Sequence, residues 1–181
     1  EIENIITTDQ DDVIDASAAI VGINVDAGDG ADTITGGDGD DTIELGAADE
    51  DNDVVVLTDD FGDDVLSGFE TPTVNPDGSL TSNDTFDVTG LTNTDGDPVT
   101  TDDVVVTDTN GDGTGDAILT FPNGESVTLT GVTPDLVDDV DELIAIGIPP
   151  APDGTVSGTD GDDVIAENVF AGQVPYRGDR E

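Results

Sequence analysis

Along the first third of the chain, large aliphatic residues stand one at a time in a background of aspartate, glycine and threonine, and their spacing is regular. From Ala27 the sequence reads AGDGADTIT and from Gly36 GGDGDDTIE, two consecutive nine-residue units in one register. Glycine stands at the second and fourth places of both, Asp32 and Asp41 at the sixth, and Ile34 and Ile43 at the eighth. Upstream, TTDQDDVID (Thr7 to Asp15) keeps the phase with Asp12 and Ile14, and downstream FGDDVLS (Phe61 to Ser67) keeps it with Gly62, Asp64 and Leu66. The unit returns near the C-terminus as GTDGDDVIA, Gly158 to Ala166, with Gly161, Asp163 and Ile165. Two places depart from the phase: three extra residues precede Asp53 in NDVVVL, and the loop from Ala16 to Gly22 is irregular.

Each unit predicts a glycine-rich turn followed by a short strand. Glycines two apart open backbone conformations closed to other residues, so six positions suffice for a tight turn with its carbonyls facing one way. Thr-Ile or Val-Ile then makes a strand with one aliphatic pointing inward. A single aliphatic per nine residues is too little for a lone unit to bury, so the units must stack and share a thin core. Stacking brings the turn aspartates together, which demands a counter-ion. A hard cation bound by carboxylate and carbonyl oxygens meets that demand, and calcium suits the flexible geometry better than magnesium.

GGDGDDTIE matches at every defined position the GGxGxDxUx nonapeptide of the repeats-in-toxin (RTX, hemolysin-type) family, which this sequence resembles. The resemblance implies a parallel β-roll, a form of β-helix, in which alternate turns lie on opposite sides and a turn shares calcium with the turns two units away. Transferred to this chain, the implied sixth-place ligands are Asp12, Asp32, Asp41, Asp64 and Asp163, with Asp53 a weaker candidate; the third-place Asp29 and Asp38 join them as candidate calcium ligands. Only one unit has both leading glycines, so a few ions are expected and not a full ladder. An acid-rich solvated surface would explain the abundance of aspartate but not its phase.

Residues 71–102 read as irregular connections around short strands such as Thr85 to Val88. A β-meander is expected next, with strands at Asp103 to Thr107, Ala117 to Phe121 and Ser126 to Thr130. Its first turn, DTNGDGTGD, fits the opening of an EF-hand-type loop through Asp108, Asn110, Asp112, Gly113 and Asp116; but Leu119 takes the place of the closing acid, and an ordinary hairpin turn is an equal alternative. Thr133-Pro134-Asp135 predicts a helix start, with Leu136, Val140, Leu143 and Ile144 on one face and Gly147 and Pro149 ending it. Such a helix would cap the open end of the β structure and shield edge strands. The stretch TFPNGESVTLTGV, Thr120 to Val132, with the helix and GIP that follow, is similar to the region preceding autoprocessing Hint domains in secreted marine bacterial proteins. The organisation expected is a calcium-binding roll over 1–70, a connection over 71–102, a meander with one short capping helix over 103–148, and a linker opening a second repeat block over 149–181. The fold class is therefore all-β.

Charge removes most other functions. The chain has 181 residues with 45 acidic and 2 basic side chains, a net charge of −43. Nucleic acid is excluded as a partner because its phosphates must be met by Lys and Arg, and both arginines, Arg177 and Arg180, lie in the last five residues. Membrane insertion is not expected, since the longest uncharged apolar stretch, Leu143 to Pro152, is short and contains prolines. Without Cys or His there are no disulfides or zinc sites, and the six serines have no His or Lys to act as base. A carboxylate pair of the glycosidase kind stays formally open, but none can be singled out among so many acids. Arg177-Gly178-Asp179 matches an integrin-ligand tripeptide, a match that chance supplies readily in a charged terminus.

A chain so charged and so poor in large apolar groups would ordinarily be disordered, so folding is expected to depend on cations. With Glu1 first and no methionine anywhere, a processed product or fragment is expected. The function expected is a non-catalytic, calcium-folded module of a secreted bacterial RTX-type protein, outside the cell or at its surface. It would work beside neighbouring domains or self-assemble. The alternatives are a structural subunit of an adhesin, surface layer or fibre, and a non-catalytic part of a secreted hydrolase.

Overall fold

A computed structural model describes residues 4–46 and 51–152. The chain divides into two compact units, Glu1–Ala151 and Pro152–Glu181, and every described strand and helix belongs to the first.

The first unit begins as a parallel β-roll. Its strands are β1 (Asn4–Ile6), β2 (Val13–Asp15), β3 (Asn24–Asp26), β4 (Thr33–Thr35), β5 (Thr42–Glu44), β6 (Val54–Thr58) and β7 (Asp63–Ser67). Odd-numbered strands pair in parallel as β1-β3-β5-β7, and even-numbered ones as β2-β4-β6, so each turn crosses from one sheet to the other. Successive turns thus fall on opposite flanks: those before β2, β4 and β6 on one, those before β3, β5 and β7 on the other. The expected single inward aliphatic is present in each unit. Ile14, Ile34 and Val55 stack in one sheet and Val25, Ile43 and Leu66 in the other, all buried, while their strand neighbours face outward or are only partly covered.

After a small hairpin, β8 (Thr73–Val74) with β9 (Leu80–Thr81), the chain returns as β10 (Thr85–Gly90), which pairs in parallel with β6 and places Phe86 over Val55. The meander follows as β11 (Val105–Asp108), β12 (Ala117–Thr120) and β13 (Ser126–Thr130). Because β13 lies parallel to β7 with Leu129 opposite Leu66, the meander continues the roll's own sheet. Two ring pairs sit at this junction, Phe61 edge-on to Phe121 at 5.5 Å and Phe69 stacked on Phe86 at 5.1 Å.

The helix differs from its expected form. A 3₁₀ turn covers Pro134–Leu136, and the α-helix, α1, is only Val140–Ala145, with Asp139 as N-cap in a reciprocal capping box with Glu142. The break at Val137 resets the phase. Val137, Leu143, Ile146 and Ile148 are buried, whereas Leu136, Val140 and Ile144, expected on the buried face, are exposed.

Edge protection comes from the extended segment after α1. The Phe86 N–H donates to the Ile146 carbonyl at 2.7 Å, so this segment meets the outer edge of β10 at Phe86, and the Thr101 N–H, in a 3₁₀ turn beyond β10, donates to the Pro149 carbonyl at 2.9 Å. Gly147 has φ of +98°, and a Cβ there would lie 2.2 Å from the Phe86 carbonyl oxygen. Gly147→Ala is expected to lower stability by about 1–2 kcal/mol from the backbone conformation alone, and by more from the contact. Thermal melts of the folded protein measure this, and an unchanged melting temperature would show that the segment does not hold β10.

Candidate metal centre

The turn before each strand ends in the sixth-place residue, and stacking places these residues one above another. On the first flank the Asp12 N–H donates to Asp32 Oδ1 at 2.7 Å, the Asp32 N–H to Asp53 Oδ1 at 2.8 Å and the Asp53 N–H to Asp84 Oδ1 at 3.1 Å. On the second, the Ile23 N–H donates to Asp41 Oδ1 and the Asp41 N–H to Asp64 Oδ1, both at 2.8 Å. Each ladder has one direction: the backbone N–H of one coil meets the carboxylate of the next. One oxygen of each accepting aspartate is thereby satisfied. The fate of the other decides what the site can bind.

Asp32 and Asp41 are 0% and 1% exposed, and Oδ2 of each is buried with no hydrogen-bond partner. A buried carboxylate oxygen without a donor is costly, and in a chain without Lys or His a cation, a proton or an ordered water is what can satisfy it; beside a second acidic turn a cation also offsets the charge. The local sequence keeps the space open. A Cβ on Gly36 would lie 1.9 Å from Asp41 Oδ2, so only glycine leaves that oxygen in place. Main-chain carbonyls stack along the flanks in the same manner, since a Cβ on Gly28 would lie 2.4 Å from the Thr8 oxygen and one on Gly46 2.0 Å from that of Gly28. Carboxylate and carbonyl oxygens in close stacked turns are the donor set a hard cation takes. The residues present therefore fit calcium. Among the described residues no three acidic side chains gather into a cage, so such a site would draw on backbone oxygens.

Burial is the first cause of raised proton affinity here. It pushes the Asp32 and Asp41 carboxyls above their ordinary range and Asp64 up to about 8. In a chelator, then, the folded chain holds protons that the unfolded chain releases near pH 4. Stability from this source is complete below about pH 4 and is lost as pH rises through about 8. In chelator the folded, β-rich circular-dichroism signal is expected to be larger at mildly acidic pH than above pH 8. The opposite trend would contradict the burial of these groups.

The remaining candidates occupy different surroundings. Asp12 Oδ2 accepts from the Thr8 N–H and hydroxyl at 3.0 and 2.8 Å. Asp29 and Asp38 are exposed at the turn tips. Asp163 lies outside the described residues. Asp108 closes its own turn, with Oδ1 accepting from Asn110 and Asp112 and Oδ2 from Gly113, and the Gly113 N–H foremost holds its carboxyl below the ordinary range. Asp112 accepts from Thr114, and Asp116 turns to the Gly131 N–H of the neighbouring hairpin. This is the geometry of a self-satisfied hairpin turn.

Three residues were not legible as site residues. Asp84 ends the first ladder: its Oδ1 accepts from Asp53 and its Oδ2 from the Glu70 N–H at 2.6 Å, so a backbone donor takes the place a cation would have. Its signal is Asp84-Thr85-Phe86, which repeats Asp32-Thr33-Ile34 and Asp41-Thr42-Ile43 without the glycine two residues earlier. Ile23 holds the sixth place of the irregular turn and starts the second ladder without a carboxylate. Glu125, at the β12–β13 hairpin beside Asp59, Asp60 and Asp63, has Oε2 buried without a partner, and burial foremost raises its carboxyl.

Fold and site together define an all-β parallel roll with buried aspartate ladders on both flanks. No family model matches the chain, and no curated protein matches it. Among solved structures, the solution structure of the AlgE6R3 subunit from the Azotobacter vinelandii mannuronan C5-epimerase is similar at 21% identity, covering 87% of this chain and 93% of that one with a TM-score of 0.30. Among the described residues no helix is long and apolar enough to cross a membrane.

Proposed function

We propose that this chain is a calcium-binding, calcium-folded module without catalysis of its own, a part of a larger secreted bacterial protein of the RTX type. The observation that carries this reading is the pair of buried, partnerless oxygens, Asp32 Oδ2 and Asp41 Oδ2, on opposite flanks of the roll. Asp32 and Asp41, with main-chain carbonyls of the stacked turns, would hold the ions, and calcium supplies the positive charge that lets acidic turns stack. The resemblance to the RTX nonapeptide supports the choice of metal and the extracellular setting, where calcium is high. Absence of His, Cys and Lys supports the non-catalytic role, since the usual nucleophiles and nitrogen bases are missing and only carboxylates remain.

Isothermal titration calorimetry with calcium and with magnesium tests this. Calcium is expected to bind with Kd of about 10⁻⁴ to 10⁻³ M, and magnesium, which sheds water reluctantly and demands a stricter octahedron, much more weakly. Equal affinity for both ions would mean that diffuse charge neutralisation and not the stacked turns governs binding.

A further inference from the structure

We propose that the outer face of α1, together with the β8–β9 hairpin beside it, docks a basic amphipathic segment of a partner protein. This goes beyond the calcium reading and needs only that the first unit be folded. The segment carrying α1 is apolar on two sides. Val137, Leu143, Ile146 and Ile148 are buried, whereas Val140 and Ile144, one helical turn apart, are 44% and 39% exposed. Packing against the β structure requires aliphatics on one side only. The capping box of Asp139 with Glu142 and the Phe86–Ile146 hydrogen bond hold α1 in this orientation, so the outward aliphatics belong to the folded arrangement.

The hairpin extends the face. Ile144 and Leu80 line one depression with Ser79, Asp141 and Ala145. Val74 stands directly opposite Leu80 in the antiparallel pair, and residues so paired project from one face of the hairpin; Val74 is 74% exposed. Val140, Ile144, Leu80 and Val74 therefore form an apolar strip across two elements. An exposed apolar strip with a polar rim marks an interaction surface.

The rim selects the occupant. Asp141 lines the depression, exposed Asp138 and Asp139 precede Val140, and exposed Asp77 stands at the hairpin turn. Residues 1–176 contain no Lys or Arg, so the same face of a second copy would set carboxylates against carboxylates. A helix with aliphatics along one side and Lys or Arg flanking them meets both requirements. Its apolar side covers the strip, and its cations meet the acidic rim.

Fluorescence anisotropy of a labelled leucine–lysine peptide, with its leucines on one helical face, tests this on the full chain in calcium. The control peptide has the same composition with its leucines dispersed around the helix, and salt is held at about 0.15 M, where diffuse attraction is screened. The patterned peptide is expected to bind at least about tenfold more tightly than the control. Val140→Ser combined with Ile144→Ser should weaken it at least about tenfold, and Val74→Ser, on the other element, should act in the same direction. Asp138→Asn with Asp141→Asn should weaken it about threefold and flatten its salt dependence. All these positions are exposed, and each variant should keep the wild-type circular-dichroism spectrum. Asp9→Asn with Asp11→Asn, in the turn before β2, changes the same charge three strands away from β10 and should leave affinity unchanged. Equal affinity for the two peptides, equal loss from the Asp9 and Asp11 changes, or no loss from the aliphatic changes would overturn the proposal and assign binding to diffuse charge. Self-association of the wild type in sedimentation velocity, abolished by Val140→Ser with Ile144→Ser, would give the face to a second copy and overturn it as well.

Discussion

In chelator at neutral pH the chain is expected to be expanded, and millimolar calcium is expected to compact it into the roll, a change large enough to dominate both circular dichroism and hydrodynamic radius. The net charge of −43 opposes compaction throughout, and the roll offsets chain entropy with only one inward aliphatic per strand crossing in its repeat region. Against that thin core, Asp32 and Asp41 must be buried with one oxygen each left without a donor. Calcium removes both penalties at once, so its binding free energy becomes folding free energy. Sodium chloride at matched ionic strength separates site binding from screening. Screening acts over about 10 Å at 0.1 M salt and leaves the orphaned oxygens unsatisfied, so salt alone should not restore the folded spectrum. Identical β-rich spectra in chelator and calcium would contradict the account.

The second large effect distinguishes neighbours in sequence. Asp41→Ala is expected to weaken calcium affinity at least about tenfold, about 1.4 kcal/mol, and to shift the folding midpoint to higher calcium. It removes the candidate ligand and also the Oδ1 acceptor for the Ile23 N–H. Asp40→Ala should change affinity by no more than about twofold, because Asp40 is exposed and gives up one hydrogen bond, from the Asp63 N–H at 3.1 Å, that water can replace. Calorimetric titration of the two variants compares them directly. Equal losses would assign binding to bulk charge.

How much of this was legible in the sequence depended on how local each signal was. The nonapeptide phase located Asp32, Asp41 and Asp64 because turn, strand and inward aliphatic all fall within one unit. Asp53 and Asp84 occupy the same ladder, yet extra residues precede both, and before Asp84 the chain inserts the β8–β9 hairpin; phase counting fails there although the pairing of β6 and β10 restores the stack. The orphaned Oδ2 atoms are invisible in sequence, since they depend on which N–H of a neighbouring coil reaches which oxygen. Asp84 shows the point: it resembles Asp32 in type and local sequence but is satisfied by Glu70, a residue fourteen positions away. The sequence marks the end of the helix and the burial of Leu143 but not the rest of its face, because Thr133-Pro134 begins a 3₁₀ turn and the true cap, Asp139, lies one turn later with its own Glu142.

Calcium is expected to sit against Asp32 Oδ2 and Asp41 Oδ2. An anomalous difference map from crystals of the calcium-loaded protein locates the ions. Peaks are expected beside Asp32 Oδ2 and Asp41 Oδ2, one on each flank of the roll, and none beside Asp84 Oδ2, where the Glu70 N–H already donates. Calcium found only on exposed carboxylates such as Asp29 and Asp38, with the two buried oxygens met by water or by protein donors, would contradict it.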